Sequence, residues 1–400
     1  MYRKIIGLFF VCLFGQLLMA QVKLSKSDIV ILDYNTIAQK KKKIQAKDSE
    51  LYPAYLQLLK DADKLLNYLP VSVMGKTDIP PSGDKHDYMS LAPYWWPNPA
   101  TSNGLPYIRK DGEINPEVKN YPDKEHMPVL CEHINLLALA YYFSQDEKYA
   151  KHASKLLQVW FLDPATKMNP NLKYGQAVKG VVEGRAEGLI DTRQFIFVID
   201  GINLIKTSKY WTAQNQKEMK AWFADFLNWI QTSDIGKDEM NAPNNHGVWY
   251  DAQTLAIALY VDSTNLANKI VQRAANRLDL QQDSNGFFPL ELARTTSFHY
   301  SAFILNAFTV IAQLSEKTNI NLWQLKTSSG KSLSKAFDAL MPFLIQKKEW
   351  TAGQQIRPYS FTDGYPILLS AHTKYHCNEC FDFIKTNANQ QYKLLLLNLL

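Results

Sequence analysis

The chain has 400 residues, 46% of them hydrophobic and 20% charged, which excludes a disordered or fibrous polymer and leaves a folded protein with a large core. Lysine and arginine outnumber aspartate and glutamate 44 to 38, for a formal net charge of +6. No basic run is interleaved with aromatics, which argues against nucleic acid, while the mild excess suits a polyanionic substrate.

At the N-terminus, Arg3 and Lys4 precede an apolar run from Ile5 to Ala20. Leu18-Met19-Ala20 before Gln21 reads as a secretory signal peptide cleaved after Ala20. The run falls short of the roughly 20 apolar residues of a membrane span. The mature protein, residues 21–400, is therefore expected to be periplasmic or secreted, without membrane attachment once the signal is removed. The one tight basic cluster, Lys40 to Lys43, is expected to be a short exposed stretch.

Apolar residues then recur at spacings of three and four. They predict helices over Leu51 to Leu69, His133 to Phe143, Tyr149 to Phe161, Thr192 to Ile205 and Asn215 to Gln231. Further helices follow over Ala252 to Leu259, Leu266 to Leu278, Ser301 to Leu314 and Ser332 to Leu344. The fold class is all-α. Helices joined by loops, with no heptad seam, suit antiparallel hairpins stacked side by side or closed into an α/α toroid. No low-complexity linker interrupts residues 50 to 380, so one domain is expected over 21–400. A toroid gathers its loops at one end, where chemistry is expected.

Those loops hold the unusual residues. Between Pro93 and Pro97 stand Tyr94, Trp95 and Trp96. Proline restricts its own φ and that of the residue before it, so such a loop holds rings in fixed orientation for stacking on sugar faces. Gly184 to Arg193 carries Arg185, Glu187, Asp191 and Arg193, with Asp191 read as a cap or as the partner of a basic side chain. After Pro243 come Asn244, Asn245, His246 and Gly247, poor core material and good donors to a carboxylate; a neutral His246 could also remove a proton. Arg294 stands six residues before Tyr300, whose phenol pKa is expected to fall beside that cation. Cys131, in an apolar stretch, reads as a buried thiol, and Cys377 and Cys380, with His372 and His376 upstream, read as a local disulfide, free thiols or a zinc site.

Amides, an imidazole, a guanidinium and a phenol suit β-elimination on a uronic acid polysaccharide. That reaction needs donors to neutralise the C6 carboxylate, a base for the C5 proton and an acid for the departing O4. It needs no cofactor and no metal.

The strings YMSLAPYWWPNP, DGEINPE, FLDPATKMNPNLKYGQA, GLIDTR, NNHGVWYDAQ and LELARTTSFHYS run in order from about residue 85 to 305. In these the chain resembles the alginate lyase family of helical-barrel polysaccharide lyases. The resemblance implies an α/α toroid with a cleft and elimination on a β-1,4-linked uronan, either mannuronate-rich alginate or glucuronan. It matches Asn245 and His246 to the family's Asn-His pair, Arg294 to its arginine and Tyr300 to its catalytic tyrosine. Asn244, Tyr94, Trp95, Trp96, Trp249, Tyr174, Arg185 and His299 are expected to contact substrate. In mannuronate and glucuronate the C5 proton and O4 share a ring face, so one tyrosine can serve both. Guluronate would need a second base across the ring, a place for His246. Two other readings are a glycoside hydrolase using two carboxylates among Glu183, Glu187, Asp251 and Glu291, and a uronan-binding protein without catalysis.

Overall fold

The computed structural model describes residues 23–388 and Leu397, and the expected signal peptide lies outside the described residues. Two helices open the chain, α1 (Tyr34–Gln45) and α2 (Leu51–Leu65). Three short strands follow, β1 (Met89–Leu91), β2 (Trp95–Trp96) and β3 (Ile108–Arg109). Then come α3 (Asp123–Ser144), α4 (Glu147–Leu157), strand β4 (Tyr174–Ala177), α5 (Phe195–Leu204), α6 (Ala213–Thr232), α7 (Asp234–Met240), α8 (Asn245–Tyr260) and α9 (Thr264–Gln281). The chain continues with α10 (Pro289–Leu292), α11 (Ser297–Ser315), α12 (Leu333–Leu344), α13 (Tyr365–Tyr375) and α14 (Asn378–Asn387). Every helix expected from apolar spacing is present.

Side-chain oxygens fix where several helices begin. Asp33 accepts from the Thr36 amide at α1, Asp146 from Lys148 at α4 and Asn244 from His246 at α8. Helix α3 starts at Asp123, ten residues before the predicted His133, because Pro122 and the acidic Asp123 and Glu125 suit a first turn that apolar spacing does not register. Helices α5, α8 and α11 are buried nearly all round, which places them inside, whereas α4 and α9 each bury one stripe. The inner row runs α3, α5, α8, α11, α13, each packed on the next. Outer helices pair with it: α4 with α3, α6 and α9 with α8, α12 with α11, α14 with α13. One continuous hydrophobic core spans this double layer from Ile29 to Leu397.

Strands are confined to two small pairs, β1 parallel to β4 and β2 antiparallel to β3, which tie the long Pro80 to Pro122 loop to itself and to the 174–177 segment. The lysine cluster departs from expectation. Lys40 to Lys43 lie within α1, where Lys40 and Lys41 are half-buried and Lys41 sits over the Tyr142 ring at 4.6 Å. Cys377 and Cys380 form a disulfide between α13 and α14, which removes them as zinc ligands, and Cys131 is a buried free thiol. No helix among the described residues is long and apolar enough to cross a membrane.

The segment leading into α1 is fastened by one buried carboxylate. Asp200, on α5, accepts hydrogen bonds from the Val30, Ile31 and Leu32 amides at 2.5, 2.8 and 2.5 Å. Asp200→Ala strands three buried donors, each costing about 1 to 3 kcal/mol. The expected loss is about 3 kcal/mol or more, read as a lower midpoint in urea unfolding at unchanged slope.

Candidate active site

The amino ends of the inner helices open into a single cleft of about 830 Å³. Lys124 and Glu125 reach it from the start of α3, Ile190 to Arg193 from the turn before α5, Asn244 to His246 from the start of α8, and His299 and Tyr300 from the first turn of α11. The positive ends of four helix dipoles therefore face the same space, a setting that favours anions. Tyr94, Trp95, Arg109 and Gln176 close the opposite wall from the short strands and their flanks.

At the start of α8, two carboxylates hold two donors. The Asn245 backbone amide and its Nδ2 donate to Glu291 at 2.6 and 2.8 Å. Asn245 is wholly buried at the floor of the cleft, and the second proton of its Nδ2 is the one available to a ligand. His246 Nδ1 lies 2.7 Å from Glu239 Oε1, which puts a proton on Nδ1 and turns Nε2 to the other side. Burial alone would lower the imidazole pKa, but the buried Glu239 carboxylate outweighs it and holds His246 above its ordinary value. Gly247 makes this turn possible. A Cβ there would lie 2.2 Å from the Ala242 carbonyl oxygen and 2.5 Å from Arg277 Nη1, the guanidinium that binds Ala242 and Asp251 beneath the helix start.

At the start of α11, Arg294 joins two elements. Its guanidinium grips Asp111 through Nη2 to Oδ1 at 2.6 Å and Nε to Oδ2 at 3.1 Å. Nη2 also donates to the Tyr300 hydroxyl at 2.8 Å, and Cζ sits 3.7 Å from the Tyr300 ring centroid. Tyr300 in turn donates to the Tyr94 hydroxyl at 2.8 Å. Gly112 lets the Asp111 loop come this close: its φ is +79°, and a Cβ there would meet Thr295 Oγ1 at 2.5 Å. Burial would raise the Asp111 pKa, yet Arg294 and the Thr295 amide bring it down to about 2. The phenol of Tyr300 goes the other way. Burial, then the neighbouring Tyr94, outweigh Arg294 and raise its pKa, which reverses the fall expected from the cation alone.

Of the twelve residues expected to act on or contact substrate, nine share this cleft: Tyr94, Trp95, Arg185, Asn244, Asn245, His246, Arg294, His299 and Tyr300. Three others do not. Trp96 follows Trp95 on a strand, so its side chain leaves on the opposite face, where its indole donates to the Glu113 carbonyl under Lys110. Trp249 is 2% exposed and packs in the core with its ring 5.1 Å from Phe303. Tyr174 pairs with Met89 on β4 and stays off the cleft, while its neighbour Gln176, at φ +49°, enters it.

The carboxylates of the hydrolase reading are dispersed. Asp251 is locked between Arg273 and Arg277 at 2.7 Å, Glu291 serves Asn245, Glu183 lines a separate pocket, and Glu187 faces the cleft paired with Arg185. Asp191 accepts from Tyr88, Ser90 and Gln176 and pairs with Lys124 at 3.3 Å, so its basic partner is Lys124 and not Arg193. Asp111 and Glu239 were not singled out from the sequence. Asp-Gly at 111–112 was a usable signal for a tight turn, whereas nothing near Glu239 marks it as the partner of His246.

The sequence model of the alginate lyase family matches residues 72–350. A comparison with curated protein sequences gives no match. Among solved structures, an alginate lyase from Bacteroides ovatus superimposes with a TM-score of 0.87 at 37% identity, over 93% of this chain and 99% of that one. Alginate lyase A1-III from Sphingomonas species A1 gives 0.54 at 15% identity, over 90% and 93%. A histidine-to-alanine variant of alginate lyase A1-III complexed with a tetrasaccharide gives 0.57 at 16%, over 89% and 92%. The last two likenesses speak to the fold alone. With the family model spanning most of the sequence and 37% identity to an alginate lyase of nearly equal extent, the chain belongs to the alginate lyase family and is a polysaccharide lyase on an α/α toroid.

Proposed function

We propose that the enzyme cleaves a β-1,4-linked uronan, mannuronate-rich alginate or, on the same stereochemical grounds, glucuronan, by β-elimination, leaving a 4,5-unsaturated end. The observation that carries this reading is the hydroxyl chain from Arg294 through Tyr300 to Tyr94, set in one cleft with the His246–Glu239 pair. The imidazolium of His246 and the free Nδ2 proton of Asn245 hydrogen-bond the C6 carboxylate and spread the charge that builds as the C5 proton leaves. Tyr300, as phenolate, takes that proton. Arg294, against its hydroxyl and ring, stabilises the phenolate form that burial disfavours. The phenol then returns the proton to O4 on the same ring face, the C4–O4 bond breaks, and the phenolate is restored. The half-exposed rings of Tyr94 and Trp95 suit contact with the sugar faces. The charged, apolar leader supports export, and the Cys377–Cys380 disulfide suits an oxidising compartment.

Ultraviolet absorbance of the unsaturated product on poly-mannuronate, poly-guluronate and glucuronan tests the reading; no product on any of them removes it. Tyr300→Phe deletes the proton carrier and leaves the ring in place. It should cut kcat by about 10²-fold or more while uronan binding and the melting temperature hold. Retention of more than about a tenth of the wild-type rate would move proton transfer elsewhere.

The pH profile has a definite sign. The competent form carries a phenolate at Tyr300 and an imidazolium at His246, both with raised pKa. On this scheme kcat/KM climbs as Tyr300 deprotonates and levels off where His246 starts to lose its proton. Glu239→Gln removes the charge that raises the His246 pKa. The profile should then level off at lower pH and at a lower plateau, and an unchanged break point would detach His246 from the limb.

A further inference from the structure

The cations that line the cleft are not equally occupied. Arg294 and Arg109 hold Asp111, Arg185 holds Glu187 and Lys124 holds Asp191. Among the described residues, Arg193 is the lysine or arginine of the cleft wall without a carboxylate within ion-pair distance. Its one hydrogen bond is from Nη1 to the Ile190 carbonyl at 3.1 Å. Asp191 and Asp363 act on it only at longer range, and burial is the largest influence on its pKa.

A guanidinium stays charged, and holding one half-buried at the cleft wall without an ion-pair partner is unfavourable because hydration is lost. A fold has no use for that expense. The Ile190 carbonyl could be satisfied by a neutral donor, and the aromatic contact needs no net charge.

What surrounds Arg193 is suited to a sugar acid. Its Cζ lies 5.6 Å from the Phe303 ring centroid, and the His299 ring stacks on the same Phe303 at 5.9 Å with an 11° interplanar angle. All three line the cleft. The His299 ring is in turn 5.4 Å from that of Tyr300, so a short run of rings connects Arg193 to the phenol. Burial, then Arg357 and Arg193, keep the His299 pKa below its ordinary value, leaving a neutral imidazole as a hydroxyl partner beside the cation.

We propose that Arg193 is a second carboxylate-binding residue of the cleft, which pairs with the carboxylate of the uronate next to the one being cleaved, with Phe303 and His299 against that sugar. The inference rests on the cleft accepting a uronan, and goes beyond that reading by assigning a binding subsite to a residue outside the reacting cluster.

The test uses the full chain and two variants, Arg193→Gln and Arg193→Lys. On poly-mannuronate, Arg193→Gln should raise KM by about 30-fold or more, with the larger part of the loss in KM and not kcat. Arg193→Lys, which keeps the charge but not the fork, should recover part of it. The melting temperature of Arg193→Gln should stay level or rise, because a charge without an ion-pair partner leaves the half-buried cleft wall. An unchanged KM overturns the proposal, as does a melting temperature lowered by several degrees in both variants with kcat falling in step with KM, the mark of a purely structural arginine. Calorimetric titration of mannuronate oligosaccharides separates this from failure of the lyase reading. A wild type that forms no unsaturated product but binds the oligosaccharide about 30-fold better than Arg193→Gln does would lose the lyase reading and keep the subsite. A wild type that binds no uronan would lose both.

Discussion

The active end of this protein depends on one ion pair. Asp111 and Arg294 lie 183 positions apart, and their bidentate contact is what brings the loop between β3 and α3 onto the turn before α11. Both are partly withdrawn from water, with side chains 21% and 15% exposed, so the pair is stronger than a surface salt bridge and its geometry is tighter. The same guanidinium then donates to Tyr300, which donates to Tyr94, the residue before β2. One cation therefore both assembles the wall and sets the electrostatics of the phenol. Because Asp111 neutralises most of its charge, Arg294 stabilises a phenolate without forcing one, and burial keeps the resting group as phenol.

Buried charge elsewhere in the molecule follows a different economy. Asp251 sits between two arginines and Asp200 satisfies three amides; each is closed upon itself and serves the scaffold. In the cleft, closure is incomplete. Glu239 Oε2, Asn245 Oδ1 and Arg185 Nε have no hydrogen-bond partner among the described residues, and Arg193 lacks a carboxylate. Unsatisfied buried polar atoms also occur in the scaffold, Asp123 Oδ1 and Trp160 Nε1 among them, so what sets the cleft apart is that such atoms sit together with charged side chains around one cavity.

Much of the scaffold could be read from the sequence because inner and outer helices both repeat apolar residues at helical spacing, from α2 through α12. Helices α1, α7, α10, α13 and α14 escaped it. The YNTIAQKKKKIQ of α1 is mostly polar and buries only Ile37 and Ile44, while α13 is short and carries Pro366 in its first turn. The chemistry-bearing residues were visible for a different reason: Asn245, His246, Arg294 and Tyr300 are poor core material gathered near helix starts. Their partners were not, since Glu239 and Asp111 look like ordinary surface acids until the fold sets one against an imidazole and the other against a guanidinium. Trp96 and Trp249 show the converse error. Aromatic residues beside site residues carry no directional information in one dimension, and a strand's alternation or a helix's turn sends the neighbour into another environment.

The two histidines of the cleft show how neighbours and not residue type divide the labour. His246 and His299 enter the same space from the first turns of adjacent helices, and both are substantially withdrawn from water, which by itself lowers an imidazole pKa. A carboxylate at 2.7 Å reverses that for His246; around His299 the nearby charges are chiefly the guanidinium groups of Arg357, Arg193 and Arg294, against Asp363 alone, and they add to the effect of burial. Neighbouring charge thereby favours the charged form of one imidazole and the neutral form of the other. Exchanging the roles would require moving Glu239 across the cleft, from α7 to the neighbourhood of α11, so the division is written into the helix packing and not into either histidine.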